Sequence, residues 1–73
     1  MSVVLARDRL RLEMARRGWG NADLARAAQV SAPTVTAALA GRPVAPRTVL
    51  RIAIALAKTP PVTGVDSILQ GVE

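Results

Sequence analysis

Between Gly20 and Gly41 the chain spells two short apolar patterns of helical period, separated only by Gln29-Val30-Ser31. That spacing is the tightest constraint in the sequence. Leu24, Ala25 and Ala28 share a face in the first pattern, and Val35, Ala38 and Leu39 share one in the second. Gln29-Val30 is too short for anything but a turn, so two helices must cross closely on either side of it. Ala25, Ala28 and Ala38 are small enough to let them, and Val30 fills the corner. Ser31 is a favourable N-cap, and Pro33 falls in the first helical turn, where its missing N–H costs nothing. Gly41 supplies the stop. Thr34, Thr36, Ala37 and Ala40 are left on the outer faces of the second helix.

The flanks extend this pair into a bundle. Ser2 is suited to cap a first helix running to about Arg17, with Val3, Ala6, Leu10 and Met14 as its stripe and Gly18 as its end. Asn21 then caps a helix over residues 22–28, with Asp23 well placed in its positive first turn. Pro46 opens a further helix to about Lys58 that is apolar on two sides. One stripe is Val49, Ile52, Ala53 and Leu56; the other is Leu50, Ile54 and Ala57. Two stripes require two things to bury against. The first is the core of the domain itself. The second is either Ile68-Leu69 of the same chain or another subunit. After Pro60-Pro61, residues 64–69 can add one or two more turns. The expectation is an all-α, compact four- to five-helix bundle. A single domain would span residues 1–73, with its core over about 3–58 and a short C-terminal helix or tail over 64–73.

Composition narrows the chemistry. The chain has 73 residues with no Cys and no His, which removes disulfides, thiolate metal sites and an imidazole base. Asp8, Glu13, Asp23 and Asp66 have no evident partner or pocket. Neither enzyme activity nor a cofactor or metal is therefore expected. Trp19, the sole aromatic, reads as a core plug beside the second helix. Ten Lys+Arg against five Asp+Glu give a net +5, and Arg predominates, the residue whose planar fork suits phosphates and base edges. This balance fits nucleic acid or an anionic membrane surface, or simply solubility. Arg7, Arg9, Arg11, Arg16 and Arg17 could form a solvated face or add contacts to a nucleic-acid backbone. In the first helix the Arg residues interrupt Leu5, Leu10 and Leu12 without a clean polar and apolar split, which argues against membrane binding. Met1–Ala6 is too short for a signal-peptide core, and no stretch approaches the ~20 apolar residues of a membrane span. A cytoplasmic location follows as the default, and Met1 favours a whole chain.

At Asp23–Thr36 and Ala38–Gly41 the sequence resembles the helix-turn-helix of bacterial and phage repressors. Its local wording, through Gly41-Arg42-Pro43-Val44, is similar to lactose-repressor-type headpieces. The full layout, with a helix ahead of the motif, is closer to the Cro/C1-type, lambda-repressor-like domain over roughly residues 5–69. The resemblance implies a sequence-specific regulator of duplex DNA, a repressor acting as a homodimer in a bacterial or phage-infected cell, with no small-molecule effector. It places Asn21 where the family holds a phosphate. Ala32, Pro33 and Ala37 fall at base-reading positions, and Arg42 and Arg47 in the loop that meets the DNA backbone or minor groove. Ser31, Thr34 and Thr36 are the polar groups left on the reading helix. Leu50, Ile54, Ile68 and Leu69 are the implied dimer contacts. Three departures stand out. Gln29 occupies a turn position where Gly is usual, and Met14 and Leu39 replace a buried Arg–carboxylate pair. The base-reading positions also carry no purine-pairing fork. The competing reading is the same fold used as a protein-binding module, antitoxin-like or polymerase-contacting.

Overall fold

The computed structural model describes residues 2–62. Four helices form among them: α1 (Arg7–Arg16), α2 (Asn21–Ala28), α3 (Ala32–Leu39) and α4 (Pro46–Lys58). The fold is all-α. α2 is the central element, packed on both α3 and α4, and α1 lies across α3. The core takes Leu10 and Met14 from α1, Leu24, Ala25 and Ala28 from α2, and Val35, Ala38 and Leu39 from α3. Ile52 and Ala55 of α4 complete it with Val44 of the intervening loop. Leu24 and Val35 are the largest fully buried side chains, one on each side of the α2–α3 turn. Trp19 is half-buried against this cluster, and Met14 and Leu39 are both within it. The expected fifth helix, with Ile68 and Leu69, lies outside the described residues.

The first helix is shorter than its periodicity suggests. It begins at Arg7, not after Ser2, because the preceding segment is extended and pairs with the loop after α3. The Val3 amide donates to the Val44 carbonyl at 2.7 Å, and the Val44 amide returns a bond to Val3 at 2.8 Å. Val3 and Val4 are β-branched and suit extended backbone. The two-way pair satisfies both main chains and covers Val44. α2 likewise starts one residue earlier than its capping signal. Gly20 is the N-cap residue, its amide bound at 2.8 Å by the Asp23 carboxylate one turn on, and Asn21 is the first helical residue. On α4 the buried residues are Ile52 and Ala55, with Val49 and Leu56 half-covered; Ala53 is exposed, contrary to its place in the inward stripe.

Helix ends explain much of the geometry. At α3, Ser31 Oγ accepts the Thr34 amide at 3.2 Å. At the other end Gly41 (φ 79) reverses the chain, and the Arg42 amide reaches back to the Ala37 carbonyl at 3.0 Å. The same closure ends α2, but there the left-handed residue is Gln29, at φ 57 and ψ 45. The turn is not rebuilt to avoid it. Val30 donates back to Ala25 at 3.0 Å, and Arg51 of α4 donates to the Gln29 carbonyl at 3.0 Å. Because the backbone is fixed from both sides, a Cβ is held where glycine is preferred. Gln29→Gly is expected to stabilise the domain by about 0.5–1 kcal/mol. A thermal melt should show it as a rise of a few degrees, and an unchanged or lower midpoint would mean the turn carries no strain.

Arg7, Arg9 and Arg11 of α1 are exposed, as a solvated face would have them, but Arg16 is half-buried and Arg17, the residue that closes the helix, is not part of that face. Arg17 is 7% exposed at its side chain. Its Nε donates to the Thr59 carbonyl at 2.6 Å and Nη2 to Leu56 at 3.0 Å, while Nη1 binds the Glu13 carbonyl at 2.8 Å and carboxylate at 2.7 Å. It thereby pins the C-terminal end of α4 to that of α1. Glu13 also holds Arg9 and Arg16, so this carboxylate, which had no evident partner in the sequence, has three.

Candidate nucleic-acid interface

The outer side of α3 is built from Ala32, Pro33 and Thr36, all exposed, with Thr34 and Ala37 half-buried beside them. Val35, Ala38 and Leu39 on the opposite side anchor it to the core. The end of the helix is held from α1. Arg11 Nη2 donates to the Leu39 carbonyl at 3.0 Å, and Arg7 Nη1 reaches the Ala40 carbonyl at 3.4 Å. Cations at a helix C-terminus satisfy orphan carbonyls and complement the dipole there. These two arginines therefore set the position of α3.

Beside α3 runs an open groove of about 390 Å³. Pro33, Thr34 and Ala37 form one wall, and Pro43, Val44, Ala45 and Thr48 the other. Arg42 is exposed in the loop that bounds it, whereas Arg47, expected in the same loop, is exposed in the first turn of α4, because the helix already starts at Pro46. Among the described residues neither side chain makes an ion pair or hydrogen bond. Other arginines are already engaged: Arg9, Arg16 and Arg17 on Glu13, Arg11 within 3.8 Å of Asp8, and Arg26 on Asp23. One Glu13 carboxylate cannot neutralise three guanidiniums and Arg7 bonds only a carbonyl, so α1 keeps positive charge as well. Around the groove and along α4, Arg42, Arg47, Arg51 and Lys58 have no carboxylate partner among the described residues. The sequence carries a signal for this that local motif reading passes over. From Asp23 to Asp66 there is no acidic residue, while Arg26, Arg42, Arg47, Arg51 and Lys58 all fall in that interval. Arg51, exposed on α4, joins the cationic surface on this ground alone.

Asn21 is exposed at the start of α2, where unpaired amides and the helix dipole favour an anion. Ser31 is exposed too, but its hydroxyl is taken up in capping α3. The structure thus gathers Pro33, Thr34 and Ala37 along one groove bounded by Arg42 and Arg47, with Ala32 and Thr36 also on the exposed side of α3. Leu50 and Ile54 are 60% and 44% exposed on α4. Among the described residues, no helix is long and apolar enough to cross a membrane.

Two short helices locked by a three-residue turn, the second exposing its outer face beside uncompensated arginines, define a helix-turn-helix domain. The chain belongs to the helix-turn-helix domain family, whose model matches residues 6–63. No curated protein and no solved structure gives a significant match. Membership of this family suggests a DNA-binding regulator.

Proposed function

We propose that this chain is a Cro/C1-like transcriptional regulator that binds duplex DNA as a homodimer, from a phage, a mobile element or a bacterial host. α3 enters the major groove, Arg42 and Arg47 hold the backbone on one side of it, and the start of α2 at Asn21 holds a phosphate on the other. The observation that carries this reading is the exposed α3 face bounded by two arginines that the described fold does not use. Regulation is by occupancy in the cytosol or nucleoid, blocking or recruiting polymerase, with no catalysis and no small-molecule effector.

Self-association is supported by the surface of α4. Exposed Leu50 and Ile54 adjoin Ala53, which opens into an apolar groove of about 190 Å³ between α1 and α4, lined by Leu5, Leu10, Val49, Ile52 and Leu56. Two copies reading half-sites about one helical turn apart would gain the specificity that a single small module lacks.

The test is a titration of ¹⁵N-labelled protein with a mixed-sequence duplex at two salt concentrations, with sedimentation of the bound species. The expected result is shifts at Asn21, residues 31–37 and residues 42–47 that weaken at higher salt, with two protein copies per duplex. Unmoved amides at low salt in a folded protein would reject DNA binding. The apolar α3 face would then favour the protein-binding use of the same fold.

A further inference from the structure

The outer face of α3 offers DNA almost nothing that can read a base by hydrogen bonding. Its sequence, residues 32–39, contains no acidic, basic or amide side chain. Its two hydroxyls are turned inward on the helix. Thr36 Oγ1 donates to the Ala32 carbonyl at 3.1 Å. Thr34 Oγ1 pairs with Ser31 Oγ at 2.7 Å, while Ser31 Oγ also accepts the Thr34 amide. What the helix mainly presents to a ligand is carbon, the Cβ atoms of Ala32 and Ala37, the Pro33 ring and the Thr36 methyl, beside one uncommitted proton of the Ser31–Thr34 pair and the acceptor lone pairs of the hydroxyl oxygens.

Such a face penalises most base edges. Covering an N7, O6 or N4 group without returning a hydrogen bond strips its water and replaces it with nothing. One feature of the major groove has no such cost, the C5-methyl of a pyrimidine, which favours apolar contact with Ala and the Thr methyl. Resting on the DNA-binding reading above, we infer that α3 selects duplex sites by C5-methyl groups on pyrimidines. Thymine and 5-methylcytosine both carry that group; uracil and cytosine present the same hydrogen-bonding edges without it. The contacting residues are Ala32, Pro33, Thr36 and Ala37. Arg42 and Arg47 fix the register on the phosphates and contribute no methyl selectivity.

The experiment compares one random-sequence duplex pool of about two helical turns made in four forms: with thymine or uracil, and with cytosine or 5-methylcytosine. Affinities are measured by fluorescence anisotropy at one low salt concentration. Each methyl brought out of water is expected to change the affinity by about fourfold. Replacing thymine by uracil should therefore weaken binding by about tenfold or more when two or more methyls are covered. Supplying 5-methylcytosine in the uracil pool should recover part of the loss. A gain in that arm shows that the methyl is read on either base; its absence, with the thymine effect intact, confines the selection to thymine. Thr36→Val, which keeps the methyl and removes the hydroxyl, should preserve the thymine-to-uracil ratio. Equal binding of all four pools overturns the inference while leaving DNA binding standing. A collapse of the ratio in Thr36→Val overturns it in favour of a hydroxyl reader. Failure of every pool to bind at low salt rejects the DNA-binding reading on which it rests.

Discussion

Replacing Arg17 by Met is expected to destabilise the domain by about 3 kcal/mol, read as a lowered midpoint in urea. For a chain of this size that is a large share of the roughly 4–11 kcal/mol available. The substitution keeps an apolar stem but leaves the Leu56 and Thr59 carbonyls at the end of α4 without their donor. It also removes the closest cation from Glu13. Arg17→Lys should recover only part of the loss, because a single ammonium cannot reproduce the planar fork that spans α1 and α4. Acid should act on the same clasp. The hydrogen bond from Arg17 is the main force holding the Glu13 carboxyl below its ordinary value of 4.5; burial opposes it, and the charges of Arg16, Arg9 and Arg17 add to it. A folded-state value below the unfolded one means the ionised form stabilises the fold. That stabilisation is complete above the ordinary value and fades as pH falls through the depressed one. Glu13→Gln should therefore be less stable than the parent near neutrality, and the difference should close in acid. A difference that stayed constant down to low pH would mean that Glu13 does not carry this pH dependence.

The elements that were legible in the sequence are those fixed by neighbours in the chain. The α2–turn–α3 unit could be read because its cap, its proline and its glycine all act within one turn of the residues they control. Ser31 bonding to Thr34 and Gly41 closing α3 are such cases. The start of α1 was not legible, because what holds Val3 in extended pairing is Val44, far along the chain. Helical periodicity continues smoothly through Val3 and Ala6 and gives no sign of that pairing. Arg17 and Glu13 read as ordinary surface charges spaced i, i+4. Only the arrival of the end of α4 beside them turns the pair into a nearly buried clasp. Gln29 shows the opposite case: a local rule disfavours it at a left-handed position, and the helix-closing bond from Val30 to Ala25 together with a tertiary bond from Arg51 keeps it there.

The site was legible in the same uneven way. Arg42 and Arg47 were placed by the resemblance, and the structure shows that the described part of the molecule leaves both unpartnered. The roles of Arg7 and Arg11 could not be read from one helix in isolation, since their acceptors are main-chain carbonyls of α3. A composition count treats those cations as equivalent to Arg42 and Arg47. Geometry separates arginines that hold the protein together from arginines that remain available to a ligand.

That separation yields the second large expected effect. The double variant Arg42→Ala with Arg47→Ala should fold normally, since both side chains are exposed and such changes usually stay within about 0.5 kcal/mol. Its DNA binding should fall sharply and in a characteristic way. Each phosphate contact contributes about 0.9 to the slope of log affinity against log salt, so the slope should drop by about 1.8 for each bound subunit. Near 0.1 M salt this corresponds to a loss of roughly eightfold per contact and about sixtyfold for the pair. Arg11→Gln provides the contrast. It loosens the carbonyl end of α3 and should weaken binding, yet it removes no phosphate contact, so its slope should match that of the parent. The comparison is made by anisotropy titrations across a series of salt concentrations on one duplex. An unchanged slope in the double variant would remove Arg42 and Arg47 from the interface, whatever happened to the affinity. A reduced slope in Arg11→Gln would mean that this arginine leaves Leu39 and itself reaches the DNA.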